Sequence, residues 1–270
     1  MTGDLFPPTP RVYYHKAPLV QVTCQLLFPA VLRIERDVPA EFQERIRHAF
    51  PLFERANPFM PQLPPEIIRA LPNANLPIYR FLTEDRKSTV ELTPQSVALT
   101  TMSYRYWEKF VQQLTPALDA LEEIYEPSFF TRIGLRYQDL IERSRIDLEG
   151  VPWSRLLRTE ILGELAIKEI EENALAVSRA LHFKLPSVGG GVLLRHGFGS
   201  AQGRSEVGYV IDLDFATEQK TEVANVQSVL SHLHERVGRA FRWCVTDELH
   251  TALDPIPIGE LPEFSSDRSG

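Results

Sequence analysis

Apolar and polar positions along the chain fall into two rounds of one layout: a strand, a helix opened by Val-Pro, three strands and a long amphipathic helix. In the first round, which starts at Pro18, Val20 to Phe28 alternates only partly and is rich in β-formers, which predicts a mostly buried strand. Val38-Pro39 then opens a helix, because proline lacks an N–H that a first turn leaves unpaired anyway. Phe42, Ile46, Ala49 and Phe50 follow at helical spacing. Pro51 to Pro77 holds seven prolines and reads as a long loop with one helical turn around Glu66 to Ala70. Strands are predicted over 78–83, 88–92 and 96–102, joined by turns short enough for antiparallel hairpins. A helix from Tyr104 to Glu126 sets Phe110, Leu114, Leu118, Leu121 and Tyr125 on one stripe, with a kink or split expected near Pro116.

The second round begins with Phe130 to Ile141 and a helix at Val151-Pro152, 113 residues after the first Val-Pro (151 minus 38). Strands over 174–185, 191–197 and 207–215 follow, with a Gly-rich, flexible hairpin tip at 197–205. The closing helix is predicted from Val223 to Leu253, with Val226, Leu230, Leu233, Val237, Phe241 and Cys244 on its stripe. Residues 1–13 read as an irregular arm, and the chain from Asp254 onward as a frayed tail. The expected fold class is α+β: duplicated β-α-β-β-β-α units, with antiparallel sheet or sheets packed on two long helices. The expected division is 1–128, 129–254 and a flexible tail over 255–270.

Composition narrows this picture more than it extends it. The chain has 270 residues, 43% hydrophobic and 24% charged, enough for a sizeable core. A net charge of -7 argues against broad nonspecific binding of nucleic acid, which feeds on phosphate neutralisation. Cys24 and Cys244 sit in apolar periodic segments and read as small buried hydrophobes. No apolar run reaches the ~20 residues that span a bilayer, and no signal peptide is visible, so the expectation is a soluble cytoplasmic protein.

Strong catalytic signatures are missing: no phosphate loop, zinc helix or nucleophile elbow occurs. Neither a cofactor nor a metal is therefore expected. His232, His234 and Glu235 with His250 come closest to a metal set, but residues two apart on a helix face different ways. His234 is expected at the sheet-facing edge of its helix, and His232 in solvent. Ser187 to Gly191 is glycine-rich, yet it enters a strand and not a helix, so it reads as a turn. Tyr104, Tyr106 and Trp107 read as core anchors, and the acidic run Glu164 to Glu172 as a solvated helix face.

Arg132, Gly134 and Arg136 alternate onto one strand face, opposite Ile133, Leu135 and Tyr137. The arginines are expected to pair with acids such as Asp139 or Glu142, or to lie exposed on an open sheet face. With Arg179, His182, Arg195 and His196, and with Lys184 nearby, they make the candidate binding face for an anion or nucleic acid.

Several segments resemble a sporadically distributed family of uncharacterised bacterial proteins of about this length. The similarity lies in Tyr14 to Val22, in the aromatic helix start Tyr104 to Phe110, in the strand Arg132 to Tyr137, and in His234, Phe241 and Thr246 on the closing helix. Gln21 stands where that family usually has an acid, and Asp139 where it usually has an amide. The resemblance implies an architecture and no reaction, and its patchy distribution suggests mobile accessory or defence genes. The sequence-level expectation is a non-enzymatic binding or adaptor protein, an accessory component of a bacterial defence or toxin–antitoxin-like system. Its partner is expected to be a protein or a further copy of the chain, with no membrane. The alternatives are a metal-independent RNA-binding or RNA-processing protein using a basic sheet face, and a small-ligand sensor with a hollow between sheet and helices.

Overall fold

The computed structural model describes residues 5–56 and 76–260. The helical turn expected around Glu66 to Ala70 lies outside them. The strands are β1 (Val12–Tyr14), β2 (Leu19–Leu27), β3 (Leu52–Ala56), β4 (Ile78–Leu82), β5 (Ser88–Thr93), β6 (Ser96–Thr101), β7 (Arg132–Ile141), β8 (Ser178–Leu185), β9 (Gly190–Gly199), β10 (Gly208–Thr217) and β11 (Pro255–Pro257). The α-helices are α1 (Leu32–Arg36), α2 (Ala40–Ile46), α3 (Trp107–Tyr125), α4 (Trp153–Leu156), α5 (Thr159–Leu162), α6 (Lys168–Asn173), α7 (Val226–Cys244) and α8 (Asp247–Ala252). This is a mixed α+β fold with one large sheet, ordered β3-β4-β5-β6-β2-β7-β10-β9-β8, and two long helices, α3 and α7. β1 and β11 form a separate two-stranded ribbon.

The chain gathers into two compact units. Unit one holds Arg136–Phe215 with the stretches up to Val20 and from Ser231 onward; unit two holds Gln21–Leu135 and Ala216–Leu230. The division thus falls inside β2, β7, β10 and α7.

In unit two, β4-β5 and β5-β6 pair antiparallel in the hairpin registers that their short turns dictate, and β2, distant in the chain, pairs antiparallel with β6. Period-two alternation buries Val22, Cys24, Leu26, Val90, Leu92, Val97 and Leu99, each of which stabilises by about 1.5–3 kcal/mol if fully removed from water. Phe42 of α2 meets Phe81 of β4 at 5.5 Å and Tyr125 of α3 at 6.3 Å. Trp107, expected as an anchor, is buried and stacks on Phe110. The opposite strand positions are polar and partly exposed, with Thr23 bonded to Thr100 at 3.0 Å and Arg80 to Glu91 at 3.0 Å.

Three departures from the sequence reading have physical causes. First, α3 runs unbroken through Pro116. The proline removes the donor to the Gln112 carbonyl, on an exposed residue that water can satisfy, while Leu114, Ala117 and Leu121 stay buried. Second, the closing helix breaks at Val245–Thr246. Val245 forms a bridge with Leu157, and Thr246 caps α8 by accepting from Leu249 N–H at 3.3 Å. Third, Leu52–Ala56 is a strand paired to β4, and the supposed arm and tail pair with each other as β1 and β11.

Unit one is built on β8, β9, β10 and the second half of β7. The buried stripe of α7 here is Leu233, Val237, Ala240 and Cys244. Phe6 is buried among the rings of Phe183, Phe215 and Trp243, at 6.4, 6.1 and 5.6 Å. Trp153 of α4 packs on Tyr209 of β10 at 5.4 Å.

Candidate functional site

The expected basic face separates into two faces, because neighbouring strand residues point to opposite sides. In unit one, β8 pairs with β9 so that Arg179 stands across from His196, and Ala180 from Arg195. Arg179 and His196 thus share one face, and Arg195 and His182 the other. His196 lies 2.9 Å from the Tyr209 hydroxyl and is buried, which lowers its pKa, with Arg179 adding to the effect. Arg179 donates to the carbonyls of Leu162, at 2.7 Å, and Ile161, at 3.3 Å, and pairs with Glu164.

Arg136 is held by neither Asp139 nor Glu142. It forms a two-pronged pair with Asp212 of β10, at 2.7 and 2.6 Å, and these bonds raise its pKa. Arg195 approaches the same carboxylate at 3.4 Å. Asp139 is three positions from Arg136 and so points to the opposite side of β7, while Glu142 accepts from Arg204 at 2.7 Å and pairs with Arg145 at 3.5 Å. In unit two, Arg132 donates to Gln25 at 3.5 Å.

Asp139 is the chemically unusual residue, and its signal in the sequence was a carboxylate on the apolar side of a strand. Only 5% exposed, it has its pKa pushed up to about 8, chiefly by burial and secondarily by the charge of Asp212. Burial likewise pushes Tyr14 up to about 12, opposed by Arg242 and aided by Asp139. The Tyr14 hydroxyl and His250 Nδ1 lie 2.8 Å apart, and burial lowers the histidine. His234 Nδ1 lies 3.0 Å from the Tyr137 hydroxyl, and His232 Nε2 lies 3.2 Å from the Ser187 carbonyl. The three histidines thus have three separate partners, and no group of three or more metal-ligating side chains occurs among the described residues. Burial pushes the Cys24 thiol up to about 12 and raises Cys244 as well, which leaves both in the unreactive thiol form.

Unit two has an open depression of about 480 Å³ lined by His48, Glu84, Asp85, Ser88, Ser103 and Gln113 among others. Asp85 is occupied there by the Thr83 hydroxyl at 2.6 Å and the Lys87 N–H at 3.0 Å, the bonds of a tight turn.

What stands open in unit one is β8. It is the last strand of its sheet, paired only with β9 among the described residues, and its burial pattern is mostly exposed. Leu181 is 51% exposed, and the stretch that leads into the strand carries exposed Ile167, Ile170 and Leu175. At the far end of the hairpin, Gly197 has φ of 153°, and a side chain there would collide with the Val177 carbonyl. That carbonyl accepts from Phe198 N–H at 2.9 Å. Gly197→Ala is expected to destabilise the protein by about 2 kcal/mol through backbone strain and overlap. Faster amide exchange concentrated in β8 and β9 would register it, whereas unchanged exchange there would contradict the assignment.

No helix among the described residues is long and apolar enough to cross a membrane. No family model matches the chain, and no curated protein does either.

Proposed function

We propose that the chain is a non-enzymatic binding or adaptor protein that docks a protein partner on the outer edge of β8. The observation that carries this reading is an eight-residue edge strand with exposed Leu181 at its centre. A long edge of unpaired N–H and C=O groups is a template for another chain, and proteins that do not use one usually blunt it with proline, charged side chains, bulges or cover; β8 has no proline, and Leu181 stands exposed between its basic residues. The basic-face alternative is less well supported, because Arg136 and Arg195 both serve Asp212. The accessory role in a bacterial defence or toxin–antitoxin-like system belongs to the same proposal and rests on the resemblance of the segments around Tyr14, Tyr104, Arg132 and His234 alone; a cytoplasmic location belongs to it too and rests on the sequence reading of apolar runs and signal segments.

A duplicated layout is part of this reading too. What supports it is strand order: β2 lies beside β6, which precedes α3, and β7 lies beside β10, which precedes α7. The test is affinity purification from native cells with the wild-type chain and with Leu181→Asp as baits. A partner retained by the first and lost by the second is the expected result. Recovery of the same proteins by both baits, or of none by either, would sink the proposal.

A further inference from the structure

β8 offers a partner two unlike faces. Its sequence, Ser178 to Leu185, contains Arg179, His182 and Lys184 and no carboxylate. Alternation sorts Ala180, His182 and Lys184 onto one face and Arg179, Leu181 and Phe183 onto the other. Arg179 is already committed to Glu164 and to two carbonyls. His182 and Lys184 are exposed, and the side chain of neither has a hydrogen-bond or ion-pair partner among the described residues. Across from Ala180, Arg195 reaches only to the Asp212 carboxylate that Arg136 already grips from two sides. In a chain whose net charge is -7, this edge is a local excess of positive charge.

Cross-strand neighbours share a face, so side chains of a strand added outside β8 would meet His182 and Lys184 on one side and Leu181 and Phe183 on the other. We infer that the occupant of this edge is an extended, acidic segment of a partner protein, with carboxylates at alternate positions and apolar residues between them, added to the sheet as a further strand. The inference rests on the binding reading above and specifies its partner. Main-chain bonds along the edge supply affinity, and the alternating carboxylates supply the choice of partner. A second copy of the chain fits worse. Two β8 strands laid edge to edge would bring the uncommitted His182 and Lys184 of each copy together with no acid from either strand between them. Nucleic acid also fits worse, because its affinity grows with the number of phosphates neutralised, and here only His182 and Lys184 are uncommitted.

The test uses the full chain, isotope-labelled for amide spectra, and three synthetic peptides. One is Thr-Glu-Val-Glu-Val-Glu-Val-Thr, the second has Lys in place of each Glu, and the third is the acidic peptide N-methylated at alternate residues. The acidic peptide is expected to bind with shifts concentrated in β8 and to slow amide exchange there. The Lys peptide should bind at least about tenfold more weakly, and the exposed Lys184→Glu variant should reverse that preference. The N-methylated peptide should lose binding because it cannot complete the ladder. Absence of binding by the acidic peptide, equal binding of the two charged peptides, shifts centred elsewhere, self-association through β8, or displacement of the acidic peptide from β8 by oligouridylate would each overturn the inference. The two proposals fail separately. If Leu181→Asp loses its cellular partner while the acidic peptide fails, the acidic-strand inference falls alone. If Leu181→Asp keeps that partner, the binding reading falls first.

Discussion

Asp139→Asn is expected to remove most of a loss of stability that the wild-type protein suffers as pH rises from about 5 to about 8. The carboxyl of Asp139 has a folded-state pKa near 8 against an ordinary value of 3.8, set first by burial and then by Asp212. Because the folded value is raised, the folded state favours the protonated acid. Its contribution is fully present below the unfolded pKa, declines as pH rises, and is gone above the folded pKa. Between those limits the unfolded chain has released this proton while the folded chain retains it, so stability falls by about 1.4 kcal/mol per pH unit. The full effect is on the order of 5 kcal/mol, and the buried amide of the variant costs about 1–3 kcal/mol at every pH, which lowers the variant's curve without changing its slope. His196 and His250, whose pKa values burial lowers, act in the opposite sense below their ordinary pKa. They are present in both proteins and cancel in the difference. Urea unfolding of both proteins at several pH values measures it: the wild-type curve should slope downward relative to the variant. Parallel curves would show that Asp139 is ionised in the folded protein.

The second large effect is expected at Arg136. Asp212 is only 5% exposed at its side chain, and Arg136 supplies both of its short bonds. Arg136→Ala leaves that carboxylate with Arg195 alone, at 3.4 Å. Removing one partner from a buried pair costs about 3–5 kcal/mol, and the remaining arginine and the partial exposure of Arg136 place this case near 3 kcal/mol. Asp212→Asn in the Arg136→Ala background should recover part of the loss, because no buried charge is then left unpaired. A double-mutant cycle by denaturant unfolding measures the coupling, and strict additivity would contradict the pairing. Asp212→Asn alone should also bring the titration of Asp139 to lower pH, because the like charge beside it is gone.

The sequence made some parts of this molecule legible and not others, and locality explains the difference. α3, α7 and the run β4-β5-β6 follow from periodicity and short turns, which are properties of neighbours in the chain. β1, β3 and β11 are short strands made by a partner well separated in the chain, and Val12 has no local reason to be extended until Pro257 pairs with it. The break at Thr246 had a local sign, a threonine before Asp247 and Glu248, which reading one helix from Val223 to Leu253 passed over. The candidate face was misassembled where the signal was available. Arg195 and His196 are adjacent in a strand and cannot share a side, and the same parity rule separates Asp139 from Arg136. Asp212 was missed because acids that alternate, as Asp212 and Asp214 do among Ile211, Leu213 and Phe215, mark only the polar side of a strand and say nothing about which arginine will reach either one.

The ribbon of β1 and β11 also sets an order of events during synthesis. Val12 leaves the ribosome 245 residues before Pro257, its partner (257 minus 12). At ordinary elongation rates of about 5–20 residues per second, that is a wait on the order of 10–50 s. Throughout it β1 is a strand without a ladder, and Phe6 lacks the rings of Phe183, Phe215 and Trp243 that enclose it in the finished protein. Unit two, whose residues up to Leu135 are all made by mid-chain, can gather its local hairpins meanwhile. Phe6 and β1 are therefore among the last of the described parts to find their place, and a chaperone that protects the nascent protein would meet their exposed rings long before the partners that cover them are made.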